Sequence, residues 1–347
     1  MASVLPGLPA GGAAALRRLA RHHRRGRPIR RVPARRPDGH RFGDPGRPAR
    51  LPRWRTRLEG ILPHRTGLRR PGRTRPVHRR AAVSTTFEGK RIVVTGAARG
   101  IGAGIAELLL ERGAEVIGTH YGAVGEAEEL CARHRRLTLH RVDLTRTEEI
   151  EALARDVAAG GAVDGLVNHA ATLSPQLWED FRPETWRRVF AVNVDAPVVL
   201  VHALRGALVP GSAVVNVSST DGLTGSFASI AYSAAKAALI NVTKSLGNLM
   251  GPTGVRVNAV APGCVDSDMA TTASLAAAEQ TPLARNGTPR DVASAVAFLL
   301  TPEAAFVNGE TLVIDGGYGN VDPIMRSELA DFTAAFAAAA DDGGADR

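Results

Sequence analysis

Seven short apolar segments alternate with helical segments from residue 91 onward. They lie at residues 91–95, 115–119, 137–142, 163–168, 213–217, 255–260 and 311–315. Continuous apolar runs of this length are typical of strands buried on both faces, and strands that alternate with helices form parallel sheets. The pattern therefore predicts an α/β fold with a doubly wound, seven-stranded parallel sheet.

Charge divides the chain into unequal parts. Residues 1–86 contain 23 Arg, no Lys and three acidic residues, a net charge of +20, whereas the other 261 residues carry a net charge of −10. The first part is rich in Arg, Pro and Gly and shows no sustained period, so we expect disorder there. We therefore predict a disordered extension at 1–86, a single folded domain at 87–320 and a C-terminal tail at 321–347.

Three origins of the basic extension stay open. A secretory signal does not fit, because prolines interrupt the only early apolar run, at residues 4–9. A transit peptide fits the Arg-rich, acid-poor composition but not the scarcity of Ser, and a nucleic-acid-binding tail would attract phosphates without base specificity. We favour a segment outside the working protein, since all its basic residues are Arg and Val83 would make an ordinary GTG start.

The cysteine content and the lack of long apolar runs narrow the class of protein. Cys131 and Cys264 lie far apart and lack the spacing of metal ligands, which favours isolated thiols in a reducing compartment. No run approaches the roughly eighteen apolar residues of a membrane span. We therefore expect a cytoplasmic protein with no metal and no membrane partner.

The first strand leads into a glycine turn that opens a helix. Gly96, Gly100 and Gly102 follow the strand, with Arg99 and Ile101 beside the last two glycines. Glycines permit a tight turn, and the free N–H groups and dipole at a helix start favour a pyrophosphate. The spacing departs from the G-x-G-x-x-G motif, and the Lys of a nucleoside-triphosphatase loop is missing. We predict a phosphate-binding turn.

Residues after the second and third strands bear on the choice of a dinucleotide. An acid after the second strand would accept hydrogen bonds from a ribose 2′-hydroxyl, but His120 stands there instead. Arg99 offers a positive charge to a 2′-phosphate, and Asp143 follows the third strand, where an adenine amino group would be met. The sequence therefore favours NADP(H), with NAD(H) as the alternative cofactor.

A hydroxyl, a phenol and an ammonium group are placed for proton transfer. Tyr232 and Lys236 lie four residues apart in an alanine-rich helical segment and so project from one helix face. A nearby cation stabilises phenolate, so we expect Lys236 to lower the pKa of Tyr232. Ser219 follows a buried strand, at the carboxyl end where α/β ligands bind. Tyr232 would exchange a proton with an alcohol or carbonyl oxygen.

Taken in chain order, these features resemble the motifs of classical short-chain dehydrogenases/reductases. The resemblance covers about residues 87–320 and includes the glycine turn, Asn168-His169-Ala170, Asn193, Ser219, Tyr232, Lys236 and Pro262-Gly263. It implies a Rossmann fold and hydride transfer between NAD(P)(H) and a ketone or secondary alcohol. It also implies that Ser219 orients the substrate oxygen, Tyr232 is the acid/base, Lys236 holds the nicotinamide ribose, and Asn193 supports a proton-relay water.

The resemblance extends to cofactor contacts and assembly. It implies that the cofactor contacts Asn168, Ala170, Tyr232, Lys236, Pro262, Gly263, Val265 and Ser267. Ser267 stands where the family usually has Thr, and Ala171 stands where it usually has Gly, which leaves slightly less room for the cofactor. The resemblance further implies a homotetramer or homodimer built on the helices that carry Asn193 and Tyr232.

The substrate is less constrained. The chain end resembles 3-oxoacyl-carrier-protein reductases and glucose or other sugar dehydrogenases alike. Residues 267–282 have the pattern of a mobile lid without Arg or Lys, and together with Phe227 they favour an uncharged oxoacyl chain or natural-product ketone over a sugar. The alternatives are a cofactor-binding scaffold or regulator without turnover, or a sugar dehydrogenase that uses NAD. The complete set of Ser219, Tyr232, Lys236 and Asn193 argues against a scaffold.

Overall fold

The structure is a computed structural model that describes residues 86–122, 124–176, 178–266, 277–322 and residue 328. Residues 1–85, ten residues of the predicted lid (267–276) and nearly all of the predicted C-terminal tail lie outside the described residues. The division into an extension, a domain and a tail therefore stays a prediction.

A sheet of seven parallel strands forms the centre of the fold. The strands are β1 (Arg91–Val94), β2 (Glu115–His120), β3 (Leu137–Arg141), β4 (Val163–Asn168), β5 (Leu208–Val217), β6 (Arg256–Pro262) and β7 (Thr311–Ile314). Their order in the sheet is β3-β2-β1-β4-β5-β6-β7, and every neighbouring pair is parallel. The predicted doubly wound sheet is confirmed.

The sheet order reverses beside β1. The chain places β2 and β3 on one side of β1 and places β4 on the other side. In doubly wound sheets a crevice opens at the carboxyl ends of the strands at this point, and ligands bind in it. The glycine turn directly follows β1, so it lies at this crevice.

Helices cover the sheet on both faces. Those among the described residues are α1 (Gly100–Glu111), α2 (Val124–Arg133), α3 (Thr147–Ala159), α4 (Pro183–Phe190), α5 (Ala196–Leu204), α6 (Asp221–Thr224), α7 (Ile230–Met250) and α8 (Pro289–Leu300). Successive residues of a strand point to opposite faces, and β1 shows this. Ile92 packs in one apolar cluster with Ile105 and Val296, whereas Val93 packs in a second cluster with Leu200.

Two helical regions show detail that the sequence analysis did not give. The helical region that carries Asn193 begins at Pro183 and continues through a π-helical turn, Ala191–Asp195, into α5. A proline at the first turn removes an N–H that has no helical partner, so Pro183 starts the helix without cost. The helix α2 has an acidic sequence and buries only Ala127 and Leu130. No helix in the described ranges is long and apolar enough to cross a membrane.

Candidate active site

The glycine turn has a geometry that side chains would block. Gly96 and Gly100 have φ angles of +68° and +56°, in the left-handed region that favours glycine. A Cβ atom at Gly102 would overlap the carbonyl oxygen of Gly96 and lie 2.6 Å from Nδ1 of His169. The Gly96 N–H donates to Oγ1 of Thr119 at 3.1 Å, which ties the turn to β2. The turn therefore brings backbone close to the crevice and leaves the first N–H groups of α1 for a phosphate.

A groove of about 500 Å³ opens beside this turn. Seven of the predicted cofactor contacts line it: Gly96, Arg99, Gly100, Ile101, His120, Asp143 and Ala170. They come from the ends of β1, β2, β3 and β4, which are adjacent in the sheet. The fold thus brings together residues that are up to 74 positions apart along the chain.

The polar groups of the groove suit a dinucleotide. Arg99 is exposed and forms no ion pair with another described residue. Nδ1 of His120 is buried without a hydrogen-bond partner in the described ranges. Hydrogen bonds from the N–H and hydroxyl of Thr145, at 2.9 and 2.7 Å, lower the pKa of Asp143 and keep its carboxylate charged as an acceptor. Arg188 also reaches the groove, which the sequence did not indicate.

The proton-transfer residues meet at the carboxyl end of β5. Tyr232 and Lys236 lie on α7, and a hydrogen bond joins Tyr232 to the hydroxyl of Ser219. The Ser219 hydroxyl also accepts a hydrogen bond from the N–H of Asp221 at 3.1 Å. The predicted triplet of Ser219, Tyr232 and Lys236 is therefore brought together by the fold.

The pKa of Tyr232 differs from the sequence-based expectation. Burial raises it to about 12, and the charge of Asp221 adds to the rise, while the bond to Ser219 lowers it. The Nζ atom of Lys236 lies 5.5 Å from the centre of the Tyr232 ring and donates to the carbonyl oxygen of Val217 at 2.7 Å. Burial lowers the pKa of Lys236 to about 7. The expected lowering by Lys236 is wrong for this structure, because burial dominates the pKa of Tyr232 and Lys236 is not among the groups that shift it.

Asn193 lies within the π-helical turn and is buried. Its Oδ1 accepts from the N–H of Thr172 at 2.9 Å, and its Nδ2 donates to the carbonyl of Thr172 at 3.0 Å. This pair of bonds fixes the loop that follows β4. Wider π turns inside helices are frequent at functional sites, because they shift the direction of one side chain.

Asn168 and His169 occupy different surroundings although they are adjacent. The Nδ2 atom of Asn168 donates to Oδ1 of Asn216 at 2.8 Å inside the sheet, so it is already engaged there. Nδ1 of His169 lies 3.2 Å from the carbonyl oxygen of Thr95, and a carbonyl can only accept, so Nδ1 carries the proton. Burial and the charge of Lys236 lower the pKa of His169 to about 4. His169 is therefore a neutral support of the glycine turn.

Sequence reasoning assigned no role to His169 or Thr95. Oγ1 of Thr95 accepts hydrogen bonds from the N–H groups of His169 and Ala170, both at 3.0 Å. The available signal was His169 itself, since it departs from the usual Asn of the family. Its partner Thr95 sits 74 positions earlier, so only the sheet reveals their contact.

The remaining predicted contacts follow β6. The carbonyl of Pro262 accepts from the N–H of Thr220 at 3.0 Å, which links this strand end to Ser219. A Cβ atom at Gly263 would lie 2.8 Å from Cβ of Asp315, so the glycine permits close packing. Val265 is buried, and Ser267 lies outside the described residues.

In the described part of the chain, no three His, Cys, Asp or Glu side chains form a metal site.

Comparisons with known proteins agree with this fold. A family model described as Enoyl-(Acyl carrier protein) reductase matches residues 96–319. The 3-oxoacyl-acyl-carrier-protein reductase FabG of Vibrio cholerae is 41% identical over 244 residues, which cover 67% of this chain and 98% of that protein. The cis-4-hydroxycyclohexanecarboxylate dehydrogenase of Sinomonas cyclohexanicum is 40% identical over 247 residues, 67% of this chain and 97% of that protein.

A solved structure adds a cofactor complex to the comparison. The crystal structure of a short-chain dehydrogenase of Burkholderia cenocepacia in complex with NADP has a TM-score of 0.64 at 33% identity, over 68% of this chain and 99% of that one. The chain belongs to the short-chain dehydrogenase/reductase family. It is an NAD(P)-dependent oxidoreductase that acts on CH–OH and C=O groups.

Proposed function

We propose that this protein reduces a ketone to a secondary alcohol with NADPH, using Ser219, Tyr232, Lys236 and Asn193. The observation that carries the proposal is the hydrogen bond between Ser219 and Tyr232 at the carboxyl end of β5. When bound, the nicotinamide cofactor supplies the hydride. The protein's own residues then have to orient the carbonyl and deliver one proton to its oxygen.

Each side chain has a distinct task in that proton transfer. With a pKa of about 12, the phenol of Tyr232 is protonated at neutral pH and is ready to donate to a carbonyl oxygen. The Ser219 hydroxyl, already bonded to that phenol, holds the same oxygen. Lys236, whose pKa of about 7 leaves it partly charged at neutral pH, would stabilise the phenolate that remains. Asn193 positions the loop at Thr172 beside them.

The groove supports NADP(H) as the cofactor. Arg99 is an exposed cation without an ion-pair partner among the described residues, and the position after β2 carries His120 rather than an acid. A 2′-phosphate would gain a charge-assisted hydrogen bond from Arg99 and meet no acid at position 120, directly at the end of β2, although Glu126 of α2 also lines the groove. The related Burkholderia cenocepacia structure holds NADP. NAD(H) remains the alternative cofactor.

For the substrate we propose a mainly uncharged ketone with an apolar body. Phe227, with 92% of its surface exposed, lies in the segment between Ser219 and Tyr232 and offers an apolar contact. The relative named for a 3-oxoacyl group fits this class, whereas the relative named for cis-4-hydroxycyclohexanecarboxylate has a substrate whose apolar ring also carries a carboxylate. The first candidate substrates are an oxoacyl chain and a natural-product ketone, and a sugar is the second candidate.

Assembly and location stay predictions of the same kind. We expect a homotetramer or homodimer through the helices that carry Asn193 and Tyr232. Trp186 and Phe190 of α4 stack at 4.9 Å between ring centres and pack with Ala231 and Ala235 of α7, so these two helices present one joined surface. The thiols of Cys131 and Cys264 are free, in keeping with the expected cytoplasmic location.

A substrate panel tests the proposed function. The purified protein should oxidise NADPH in the presence of some members of a set of aryl ketones, 3-oxoacyl thioesters and sugars. Calorimetric titration with NADPH and NADH is the matched binding measurement. Tight NADPH binding without turnover of any panel member would favour the rival function, a cofactor-binding scaffold or regulator.

A further inference from the structure

Asp221 is held close to the proton-transfer residues by its backbone. It begins α6, two positions after Ser219, and its N–H donates to the Ser219 hydroxyl at 3.1 Å. The next residue, Gly222, packs so tightly that a Cβ atom there would lie 2.8 Å from the carbonyl carbon of Lys236. A backbone hydrogen bond and close packing therefore fix the position of the Asp221 backbone relative to Ser219 and Lys236.

The carboxylate of Asp221 has no partner. It is half-buried and forms no hydrogen bond or ion pair through its side chain with the described residues. Its charge adds to the rise that burial causes in the pKa of Tyr232 and in that of the Cys264 thiol, so both groups lie within its electrostatic range. The neighbouring acid Asp266, by contrast, accepts a hydrogen bond from Asn286 at 2.8 Å. A partly buried, unpaired carboxylate is costly unless a ligand completes its hydrogen bonds.

Exposed apolar side chains follow Asp221 in the chain. Leu223, Phe227 and Ile230 are 52%, 92% and 37% exposed, and all lie between Asp221 and Tyr232 in the sequence. Gly225, at φ +84°, turns the chain within this segment. One short segment thus carries both a hydrogen-bond acceptor, anchored through its backbone to Ser219, and three exposed apolar side chains.

We propose that Asp221 is a specificity-determining residue that accepts a hydrogen bond from a hydroxyl or ammonium group adjacent to the reacting carbonyl of the substrate. The apolar remainder of the substrate lies against Leu223, Phe227 and Ile230. The inference rests on the proposed ketone reduction and narrows its substrate class to α-hydroxy or α-amino ketones. A substrate with a carboxylate next to the carbonyl is disfavoured, because Asp221 repels it.

Four phenyl ketones test this inference with NADPH as the cofactor. Propiophenone, 2-hydroxyacetophenone and 2-aminoacetophenone carry a methyl, a hydroxyl or an ammonium on the carbon next to the carbonyl. In the fourth ketone, benzoylformate, a carboxylate is bonded directly to the carbonyl carbon. Each is assayed with the wild-type protein, Asp221→Asn and Asp221→Leu. Intrinsic reactivity differs among the ketones, but it cancels when one protein variant is compared with another.

The expected result is a change in preference. In Asp221→Leu the kcat/KM of the hydroxy or amino ketone relative to propiophenone falls about tenfold or more, mainly through KM, because an acceptor is lost. If Asp221 binds an ammonium group in the natural substrate, Asp221→Asn lowers the kcat/KM ratio of the amino ketone to propiophenone more than the ratio of the hydroxy ketone. The reason is that the amide keeps a hydrogen-bond acceptor but has no charge. The kcat/KM of benzoylformate relative to propiophenone rises in both variants, because the repelling charge of Asp221 is gone.

Asp156→Asn is the control variant. It changes an exposed acid on α3 in the same way and should leave the kcat/KM of each ketone relative to propiophenone unchanged. If Asp221→Asn lowers the melting temperature, Asp221→Ser serves as the second neutral variant. Turnover of propiophenone with unchanged ratios in Asp221→Leu overturns the inference and leaves the proposed function standing. Absence of turnover with all four ketones and with the wider panel overturns both.

Discussion

The two halves of the site are held by different physical means. The cofactor half, made of the glycine turn and the ends of β1 to β3, uses backbone groups and residues that line an open groove. The proton-transfer half, made of Ser219, Tyr232 and Lys236, uses two ionisable groups whose pKa values are moved by burial, that of Tyr232 up to about 12 and that of Lys236 down to about 7. Steric fit governs the first half and desolvation governs the second.

This difference has a consequence for mutation and for pH. Changes at the glycines of the cofactor half should act by crowding the backbone and should depend little on pH. Changes at the buried ionisable groups should act through charge and should be visible in pH profiles.

The largest effect is expected from Gly102→Ala. The added methyl would overlap the carbonyl oxygen of Gly96, which belongs to the backbone and cannot move aside alone. We expect NADPH affinity to fall about a hundredfold or more and the melting temperature to drop, since the turn itself must shift. Gly125→Ala is the matched control, because a Cβ atom there meets nothing within 4 Å. Equal affinities of the two variants would contradict the steric account.

Lys236→Met separates stability from turnover. The change removes a buried ammonium and keeps an unbranched side chain, so we expect kcat to fall about a hundredfold or more with folding intact.

The same variant tests the pH dependence of stability. The folded-state pKa of Lys236, about 7, lies below the ordinary value of 10.5, so between these pH values the unfolded chain binds a proton that the folded protein does not. Wild-type stability should therefore rise with pH in this window relative to Lys236→Met. Parallel denaturation curves at pH 7 and pH 9 check this, and a falling difference would refute it.

His169→Asn should reduce acid sensitivity. The folded-state pKa of about 4 lies below the ordinary 6.5, so the unfolded chain alone binds this proton between those values. As pH falls through that window the wild type loses roughly 1 to 3 kcal/mol of stability from this group. The variant should lack that loss in urea titrations at pH 7 and pH 4.5. His134→Asn, at the residue that follows α2, is the control, and identical pH slopes for wild type and His169→Asn would rule the assignment out.

The smallest effect is expected for cofactor choice. His120→Asp places a carboxylate after β2, where it would repel a 2′-phosphate and accept from a ribose 2′-hydroxyl. We expect the wild type to bind NADPH more tightly than NADH by roughly 1 to 3 kcal/mol, and the variant to shift toward NADH by about tenfold or more. Titration calorimetry with both cofactors measures the ratio. Equal wild-type affinities would mean that Arg99 does not meet the phosphate.

The sequence predicted the cofactor half better than the proton-transfer half. Strand periodicity and glycine spacing are local signals, so all seven strands and the groove contacts from Gly96 to Ala170 were found. Desolvation is a property of packing, and the sequence therefore predicted the wrong direction for the pKa of Tyr232. The π turn at Asn193 and the bond between His169 and Thr95 also escaped prediction. Both depend on how α4, α5 and the sheet meet in space.

Tyr232→Phe tests the central claim most directly, namely that this phenol delivers the proton in ketone reduction. The variant lacks the hydroxyl bonded to Ser219 but keeps the ring, and Tyr318→Phe, at an exposed position, is the matched control. On a ketone reduced by the wild type, we predict loss of turnover in Tyr232→Phe by about a hundredfold or more, with NADPH affinity within a few-fold of wild type. Turnover near the wild-type rate in Tyr232→Phe, with Tyr318→Phe unaffected, would contradict the account.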